Sequence, residues 1–123
     1  MAIKYQRGTV VLFSQVRDRN GVNPKDRPVV LVRDFDDAEA FAFGVAVTGE
    51  FDYPLPATSI LLPYSRTGKC KTGLTKESVA VCNWVASATK DEILARIGFV
   101  PSVQLVAILQ QVTALLPPKL EPT

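Results

Sequence analysis

The chain has 123 residues, of which 47% are hydrophobic and 21% charged, and these fractions are typical of one globular domain. Its 14 basic and 12 acidic residues leave a formal net charge of +2, so affinity for nucleic acid would require a local basic patch. Because the chain contains no histidine, a Ser/His/Asp triad, a Cys/His pair and a histidine proton shuttle are excluded.

Cofactors and membranes are not indicated. Cys70 and Cys82 do not have the spacing of a zinc-binding pair, so we predict two free thiols, no metal and no other cofactor. No apolar run approaches the roughly 20 residues that span a bilayer, and no signal-peptide core follows the first residues. We therefore expect a cytoplasmic protein without a membrane partner.

The first half of the chain predicts strands joined by polar loops. Turn-forming pairs, Asn20-Gly21 and Asn23-Pro24, predict a surface loop over residues 16–26. Pro28 should occupy an edge or first position of the strand that follows. The acidic connection at 34–37 is interpreted as a solvated turn, and Gly44 as a bulge or a close backbone approach. The predicted strands are 9–13, 29–32 and 41–47.

The second half changes from strands to helices. Strands are predicted at 59–62 and 78–86, with a second basic loop at 64–76 between them. Trp84, in the longer strand, is interpreted as a core or interface residue rather than a base-stacking platform. The capping box from Thr89 to Glu92 predicts a short helix that ends at Gly98, and Pro101 begins another. An apolar stripe marks that last helix: Leu105, Ile108, Leu109, Val112, Leu115 and Leu116.

This order of elements predicts the fold class. Strands first and helices last indicate an α+β, mainly β domain built on a small antiparallel barrel or curled sheet, with one short helix and a C-terminal helix. We expect a single domain over 1–123, with an ordered core at about 6–116.

Arg27 is the most informative polar residue. It stands immediately before Pro28, which biases its backbone to an extended form, and it adjoins the predicted loop. A planar, permanently charged group held at such a point suits bidentate binding of phosphate. A solvent-exposed or ion-paired arginine is the alternative, and this segment alone favours it.

Four segments, taken in order, resemble the MazF/PemK-like toxins of type II toxin–antitoxin systems. They are RGTVVL at 7–12, KDRPVVLV at 25–32, VAVT at 45–48 and GLTKESVAV at 73–81. The resemblance implies an SH3-like barrel with a C-terminal helix and a homodimer that forms an RNA groove. It also implies metal-independent cleavage of single-stranded RNA by attack of the ribose 2'-hydroxyl, and a small antitoxin with an acidic C-terminal tail.

The resemblance also implies site residues. Arg27 and Thr48 correspond to the catalytic arginine and threonine, which stabilise charge on the phosphate. For Thr48 the alternative is a strand-end hydroxyl that binds nearby backbone. The expected RNA-binding residues are Arg17, Arg19, Lys25, Asn83, Lys69 and Lys71.

The chain departs from the family pattern at several positions. Thr9 and Asn83 replace acidic residues, and Val81 and Ala86 stand where some relatives carry arginine. Since Asn83 cannot accept a proton as a carboxylate does, the general base is unassigned among four carboxylates. These are Asp18, Asp26, Glu50 and Asp52. The departures leave a second hypothesis open: a catalytically degenerate barrel that binds RNA or a protein tail without cleavage. A toxin acting on a protein such as a topoisomerase ranks last.

Overall fold

The computed structural model describes residues 3–18, 20–36 and 38–115. Within these ranges the chain forms eight strands, one 3-10 turn and one α-helix. The strands are β1 (Ile3–Tyr5), β2 (Thr9–Val16), β3 (Lys25–Leu31), β4 (Phe35–Asp36), β5 (Ala42–Thr48), β6 (Ser59–Leu62), β7 (Ser78–Ala88) and β8 (Ile93–Phe99), and the helix is α1 (Ser102–Leu115). No helix in these ranges is both long and apolar enough to cross a membrane.

Six strands form one antiparallel sheet in the order β6-β7-β5-β3-β2-β8, and β1 pairs with β4 as a separate ribbon. The predicted α+β, mainly β class with a C-terminal helix is confirmed. The sheet stays open, because β6 and β8 are its two edges. The loop between β6 and β7 bridges these edges: Thr72 Oγ1 donates to the Pro63 carbonyl at 2.7 Å, and the Lys71 carbonyl accepts from the Phe99 N–H at 2.9 Å.

The alternation of apolar residues along the strands fills two clusters on opposite faces of the sheet. One contains Val10 and Val30 together with Ile108 of α1, which is fully buried. The other contains Val11, Val29 and further β-strand residues. Three members of the predicted helical stripe, Leu105, Ile108 and Val112, pack on the first cluster, whereas Leu115 is exposed and Leu116 lies outside the described residues. The helix therefore covers one face and leaves the other for the strands and loops.

The helix predicted to end at Gly98 is wrong. The capping box forms, since the Glu92 carboxylate accepts from the Thr89 N–H at 2.8 Å, but it closes only the 3-10 turn Lys90–Glu92. The residues that follow are β8, which pairs with β2 from Phe13↔Ile93 to Thr9↔Phe99. Local capping cannot compete here with the free edge of β2, because a strand placed there satisfies a whole row of backbone groups.

Of the two positions expected for Pro28, an edge or the first residue of its strand, the structure shows an edge, although β3 as a whole lies inside the sheet. The start of β3 nevertheless has only one neighbour: Pro28 is opposite Leu12 of β2, and pairing with β5 begins at Val29. A proline is tolerated there because its missing N–H would have no partner strand to reach.

The solvated turn expected at 34–37 is also wrong in its described part. Phe35 and Asp36 form β4, and Phe35 is 1% exposed within the second cluster. Asp37 lies outside the described residues. At Gly44 the expected close approach is confirmed, since a Cβ atom there would lie 2.4 Å from the Val30 carbonyl oxygen.

Candidate functional site

The register of the central strands brings Arg27 and Thr48 together. Val29 of β3 is opposite Ala46 of β5, so continuing that register by two residues places Arg27 opposite Thr48, just beyond the last paired residues. Both side chains are half-buried and line a concavity of about 230 Å³, to which Lys25 also contributes. Residues 21 positions apart in sequence thus meet where two neighbouring strands separate.

The Thr48 hydroxyl has a defined role toward the backbone. Its Oγ1 accepts from the Glu50 N–H at 3.0 Å, which is the backbone contact that the sequence offered as an alternative. A hydroxyl that accepts in this way still has its own proton to donate. The observed bond therefore fixes the orientation of Thr48 and leaves a donor for a ligand in the concavity.

The Arg27 guanidinium lies over an aromatic ring rather than beside a carboxylate. Its central carbon is 4.8 Å from the centre of the Trp84 ring. Within the described ranges, Arg27 Nε is buried without a hydrogen-bond partner, and the ion pair found is Arg33 with Glu39 instead. Consequently, no described residue neutralises the positive charge of Arg27 through a direct ion pair.

Trp84 connects the site to the first basic loop. It is half-buried, and its indole N–H donates to the Arg17 carbonyl at 3.1 Å. Its side chain lines two larger concavities of about 500 and 620 Å³, one on the side of Arg27 and Thr48 and one on the side of Arg17 and Asn83. Sequence reasoning assigned Trp84 to the core or an interface because nothing local to β7 indicates which surface the ring would meet.

The Asp18 carboxylate organises the same loop. It accepts from the N–H groups of Asn20 and Val22, both at 3.0 Å, and from Asn23 Nδ2 at 3.2 Å. The Val22 N–H above all, and more weakly the charge of Arg27, hold the pKa of Asp18 below its ordinary value. A carboxylate so stabilised in its charged form is a poor proton acceptor, so Asp18 is better suited to shaping the loop than to serving as a base.

Two other predicted carboxylates lie closer to the Arg27 concavity. Asp26 and Glu50 both line it, and one Asp26 oxygen accepts from the Gln15 N–H at 3.2 Å. Gln15 has a φ of 56° and stands where the pairing of β2 with β3 shifts register, which is the irregularity of a bulge. The fourth carboxylate, Asp52, lines the 500 Å³ concavity.

Lys76 is a residue of this site that sequence reasoning did not select. It lines the concavity of Arg27 and Thr48, and it crosses Gly49, where a Cβ atom would lie 2.7 Å from Lys76 Cε and 3.1 Å from Lys76 Nζ. Its location depends on how the second basic loop returns to the sheet. The only local signal is the small residue after Thr48, which leaves room for a neighbouring chain.

The predicted RNA-binding residues do not all converge. Arg17 donates through Nη1 to the Gly21 carbonyl at 3.0 Å, within its own loop, and it lines the 620 Å³ concavity with the exposed Asn83. Arg19 lies outside the described residues. Lys69 and Lys71 are exposed on the second loop, near the end of β8 and outside the three concavities of the described structure.

Both cysteines are free thiols, as predicted. Burial raises the pKa of Cys82 to about 11, so this thiol is neutral in the core at physiological pH. Hydrogen bonding, chiefly from the Thr72 N–H, lowers the pKa of Cys70. Neither thiol lines the three concavities, so the candidate site offers guanidinium, ammonium, hydroxyl and carboxylate groups.

Comparison with known proteins identifies the architecture. No protein-family model and no curated protein sequence matches the chain. Among solved structures, the MazE–MazF complex (Form II) of Deinococcus radiodurans matches with a TM-score of 0.62 at 15% identity, over 94% of this chain and 96% of that one. The chain has a MazF-like toxin fold.

Two mycobacterial structures share this fold. An endoribonuclease in complex with its cognate antitoxin, from a mycobacterial species, matches with a TM-score of 0.61 at 18% identity, over 93% of this chain and 99% of that one. The Mycobacterium tuberculosis toxin MazF-mt6 matches with a TM-score of 0.57 at 15% identity, over 85% and 93%. The MazF-like fold thus accounts for nearly the full chain.

Proposed function

We propose that the chain is the toxin of a type II toxin–antitoxin system, a metal-independent endoribonuclease that cleaves single-stranded RNA at short sequences. The observation that carries this proposal is the convergence of Arg27 and Thr48 in one concavity, where β3 and β5 separate. The MazF-like fold supports it, because structures of that fold include an endoribonuclease with its antitoxin.

In the proposed reaction, a ribose 2'-oxygen attacks the adjacent phosphorus, the bond to the 5'-oxygen breaks, and the released 5'-oxygen takes up a proton from water. The products are a 2',3'-cyclic phosphate and a free 5'-hydroxyl. Negative charge grows on the non-bridging phosphate oxygens in the transition state, so preorganised donors aimed at them lower the barrier. Arg27 supplies paired N–H donors, Thr48 supplies its hydroxyl proton, and Lys76 supplies a second positive charge in the same concavity.

The proton of the 2'-hydroxyl needs an acceptor, and Glu50 is the best placed of the four candidates. It lines the concavity of Arg27 and Thr48, as Asp26 does, but one Asp26 oxygen already accepts from the Gln15 N–H. Asp18 is less suited because its pKa is lowered. Glu50 is exposed and its own N–H is bonded to Thr48, which ties the base to the phosphate-binding hydroxyl.

The other proposed RNA-binding residues are assigned according to the concavity that each of them lines. Lys25 lines the concavity of Arg27 and serves the same phosphate, while Arg17 and Asn83 line the neighbouring 620 Å³ concavity and serve adjoining nucleotides. We also propose Arg19, which lies outside the described residues, as an RNA contact. Lys69 and Lys71, farther along the surface, would attract the RNA backbone through charge alone.

The proposed assembly is that of a cytoplasmic toxin. We propose a homodimer of this single domain and a small antitoxin whose acidic C-terminal tail occupies the basic site. The complexes among the structures with this fold support an antitoxin partner, since one is a MazE–MazF complex and another holds an endoribonuclease with its cognate antitoxin.

A digest of one long, defined RNA in the presence of a metal chelator tests the function. We expect discrete cuts whose ends map as 2',3'-cyclic phosphate and 5'-hydroxyl. Replacing Arg27 with Ala should lower the rate by about 1,000-fold, as expected for loss of a preorganised charged donor. The control is Arg66→Ala, which removes an exposed arginine from the second loop outside the concavities and should leave cleavage unchanged.

Cleavage that survives Arg27→Ala at the full rate contradicts the assigned role. The second candidate function is an RNA-binding domain without turnover, and it is favoured by the amide of Asn83 on the exposed face of β7, where a carboxylate would be able to accept a proton. Salt-sensitive binding of many RNA sequences, with no cut in any of them, would establish that function instead.

A further inference from the structure

Arg27 is positioned by an aromatic ring. The guanidinium lies 4.8 Å from the centre of the Trp84 ring, and in the described part of the chain it makes no ion pair. Its Nε is buried and unbonded in those ranges, so hydrogen bonds do not set the plane of the group from that side. A guanidinium that lies over an indole face is attracted by the ring quadrupole and keeps its N–H edge free for a phosphate.

The Trp84 ring is also held by a hydrogen bond from its indole N–H. Its indole N–H donates to the Arg17 carbonyl at 3.1 Å, and Arg17 is the first residue after β2. The loop that begins there is ordered by Asp18, whose backbone N–H donates to the Val22 carbonyl at 2.8 Å and whose carboxylate accepts three further bonds. The ring is therefore fixed between a structured loop and the cation of the candidate site.

We propose that Trp84 is a positioning residue that couples the docking of loop residues 17–18 and 20–24 to the orientation of the Arg27 guanidinium. The ring holds the plane of the guanidinium, and the indole N–H ties that ring to the loop. A ligand that displaces the loop would turn the ring and move the cation. The part of this inference that concerns catalysis depends on the proposed ribonuclease function, whereas the contact itself does not.

Fluorescence tests the contact without RNA. Trp84 is the single tryptophan of the chain, so the tryptophan emission reports on this ring alone. We expect Arg27→Met to change the emission maximum or intensity of the folded protein, because it removes a positive charge from the ring face. The matched control Arg66→Met, which removes a distant exposed arginine, should leave the spectrum as it is. An unchanged spectrum in Arg27→Met would overturn the proposed contact.

Kinetics test the coupling. Trp84→Leu removes the ring, whereas Trp84→Phe keeps a ring and removes only the N–H donor. We expect Trp84→Leu to lower kcat by about tenfold, the order of effect of a partly desolvated cation–π contact, and also to raise KM, because it removes the N–H donor together with the ring. Trp84→Phe should recover most of kcat and raise KM, because the loop loses its bond to the ring.

Equal losses of kcat in the two Trp84 variants would mean that the residue has only a structural role, and would overturn the coupling. If Trp84→Leu does not fold, kcat of Trp84→Phe decides: a kcat near that of the unaltered protein supports the proposal, and a tenfold loss contradicts it. If the unaltered protein cuts no RNA, the proposed function fails while the fluorescence comparison still decides the contact.

Discussion

The two basic loops of this chain both carry positively charged residues but differ in structure. In the described part of the first loop, residues 17–18 and 20–24, Asp18 orders the backbone, and the bond between the Trp84 indole and the Arg17 carbonyl joins the loop to the candidate site. The second loop, residues 63–77, bonds to the edge strand β8 through the Lys71 carbonyl, and Thr72 ties it back to Pro63, the first residue after the other edge strand, β6.

Much of the second loop accordingly packs against the sheet. Thr72 is fully buried, and Gly73 packs against β8, where an added Cβ atom would lie 2.2 Å from the Ile97 carbonyl oxygen. Near its end, Leu74, Thr75 and Lys76 line the concavity of Arg27 and Thr48, and of these Lys76 carries the charge. The number of positive charges in a loop therefore does not locate the candidate site. What locates it is the point at which the loop returns to the sheet.

The largest expected difference between the two loops is in stability, and alanine substitution of one glycine in each loop tests it. Gly73 has a φ of +72° and Gly21 a φ of +81°, but nothing lies within 4 Å of a Cβ atom at Gly21. We expect Gly73→Ala to reduce the free energy of unfolding by about 3 kcal/mol, through backbone strain and the clash with β8. Gly21→Ala should cost only about 1 kcal/mol, from the backbone strain alone. Chemical denaturation of both variants gives the two values.

Similar losses in the two glycine variants would mean that the second loop does not brace the sheet.

Within the second loop, one lysine lines the concavity of Arg27 and two do not, so substitutions of the three should affect cleavage differently. We expect Lys76→Ala to lower kcat by about 10- to 100-fold, because it removes a charge from the concavity of Arg27, whereas removal of Lys69 and Lys71 together should raise KM a few-fold at low salt. Steady-state cleavage of a short RNA at two salt concentrations separates these effects. Lys4→Ala, which removes an exposed lysine from β1, is the control for charge alone.

Gly49→Ala gives an independent check on Lys76, because it displaces the side chain without removing its charge. The new methyl group would lie 2.7 Å from Lys76 Cε, so the ammonium must shift. We expect a smaller loss of kcat in Gly49→Ala than in Lys76→Ala, and no further loss when the two are combined. Additive losses would show that Gly49 acts through something other than Lys76.

The smallest expected effect concerns Asp18 and the order of the first loop. Its pKa is lower in the folded protein than its ordinary value of 3.8, so the charged carboxylate stabilises the loop above that value. The stabilisation is lost as the pH falls through the lower, folded pKa. We expect Asp18→Asn to change Trp84 emission at neutral pH, and the unaltered protein to show that change only below about pH 4. A similar transition near pH 6 in the unaltered protein would contradict this assignment.

Much of the strand framework follows from local sequence. The β-branched runs predicted strands that the structure contains, with 59–62 matching β6 and 78–86 lying within β7. The last helix and its stripe were predicted because the 3.6-residue period persists over four turns. β8 was missed because a genuine capping box, Thr89 to Glu92, stands immediately before it, and only the free edge of β2 selects a strand there. β4 was missed because two residues are too few to show an alternation.

Some features of the candidate site are likewise predictable from the sequence, and others are not. The Arg27-Pro28 pair and the polar residue at the end of β5 can be read in the sequence, since backbone bias and strand ends are local properties. The contacts of Trp84 with Arg27 and Arg17, and the return of Lys76 over Gly49, cannot be read there. They depend on which strands are neighbours and in what register, and these are set by the burial of two apolar clusters over the whole chain. The sequence alone shows which groups are able to bind a phosphate. Which of them line one concavity follows only from the tertiary structure, because it depends on strand order and register.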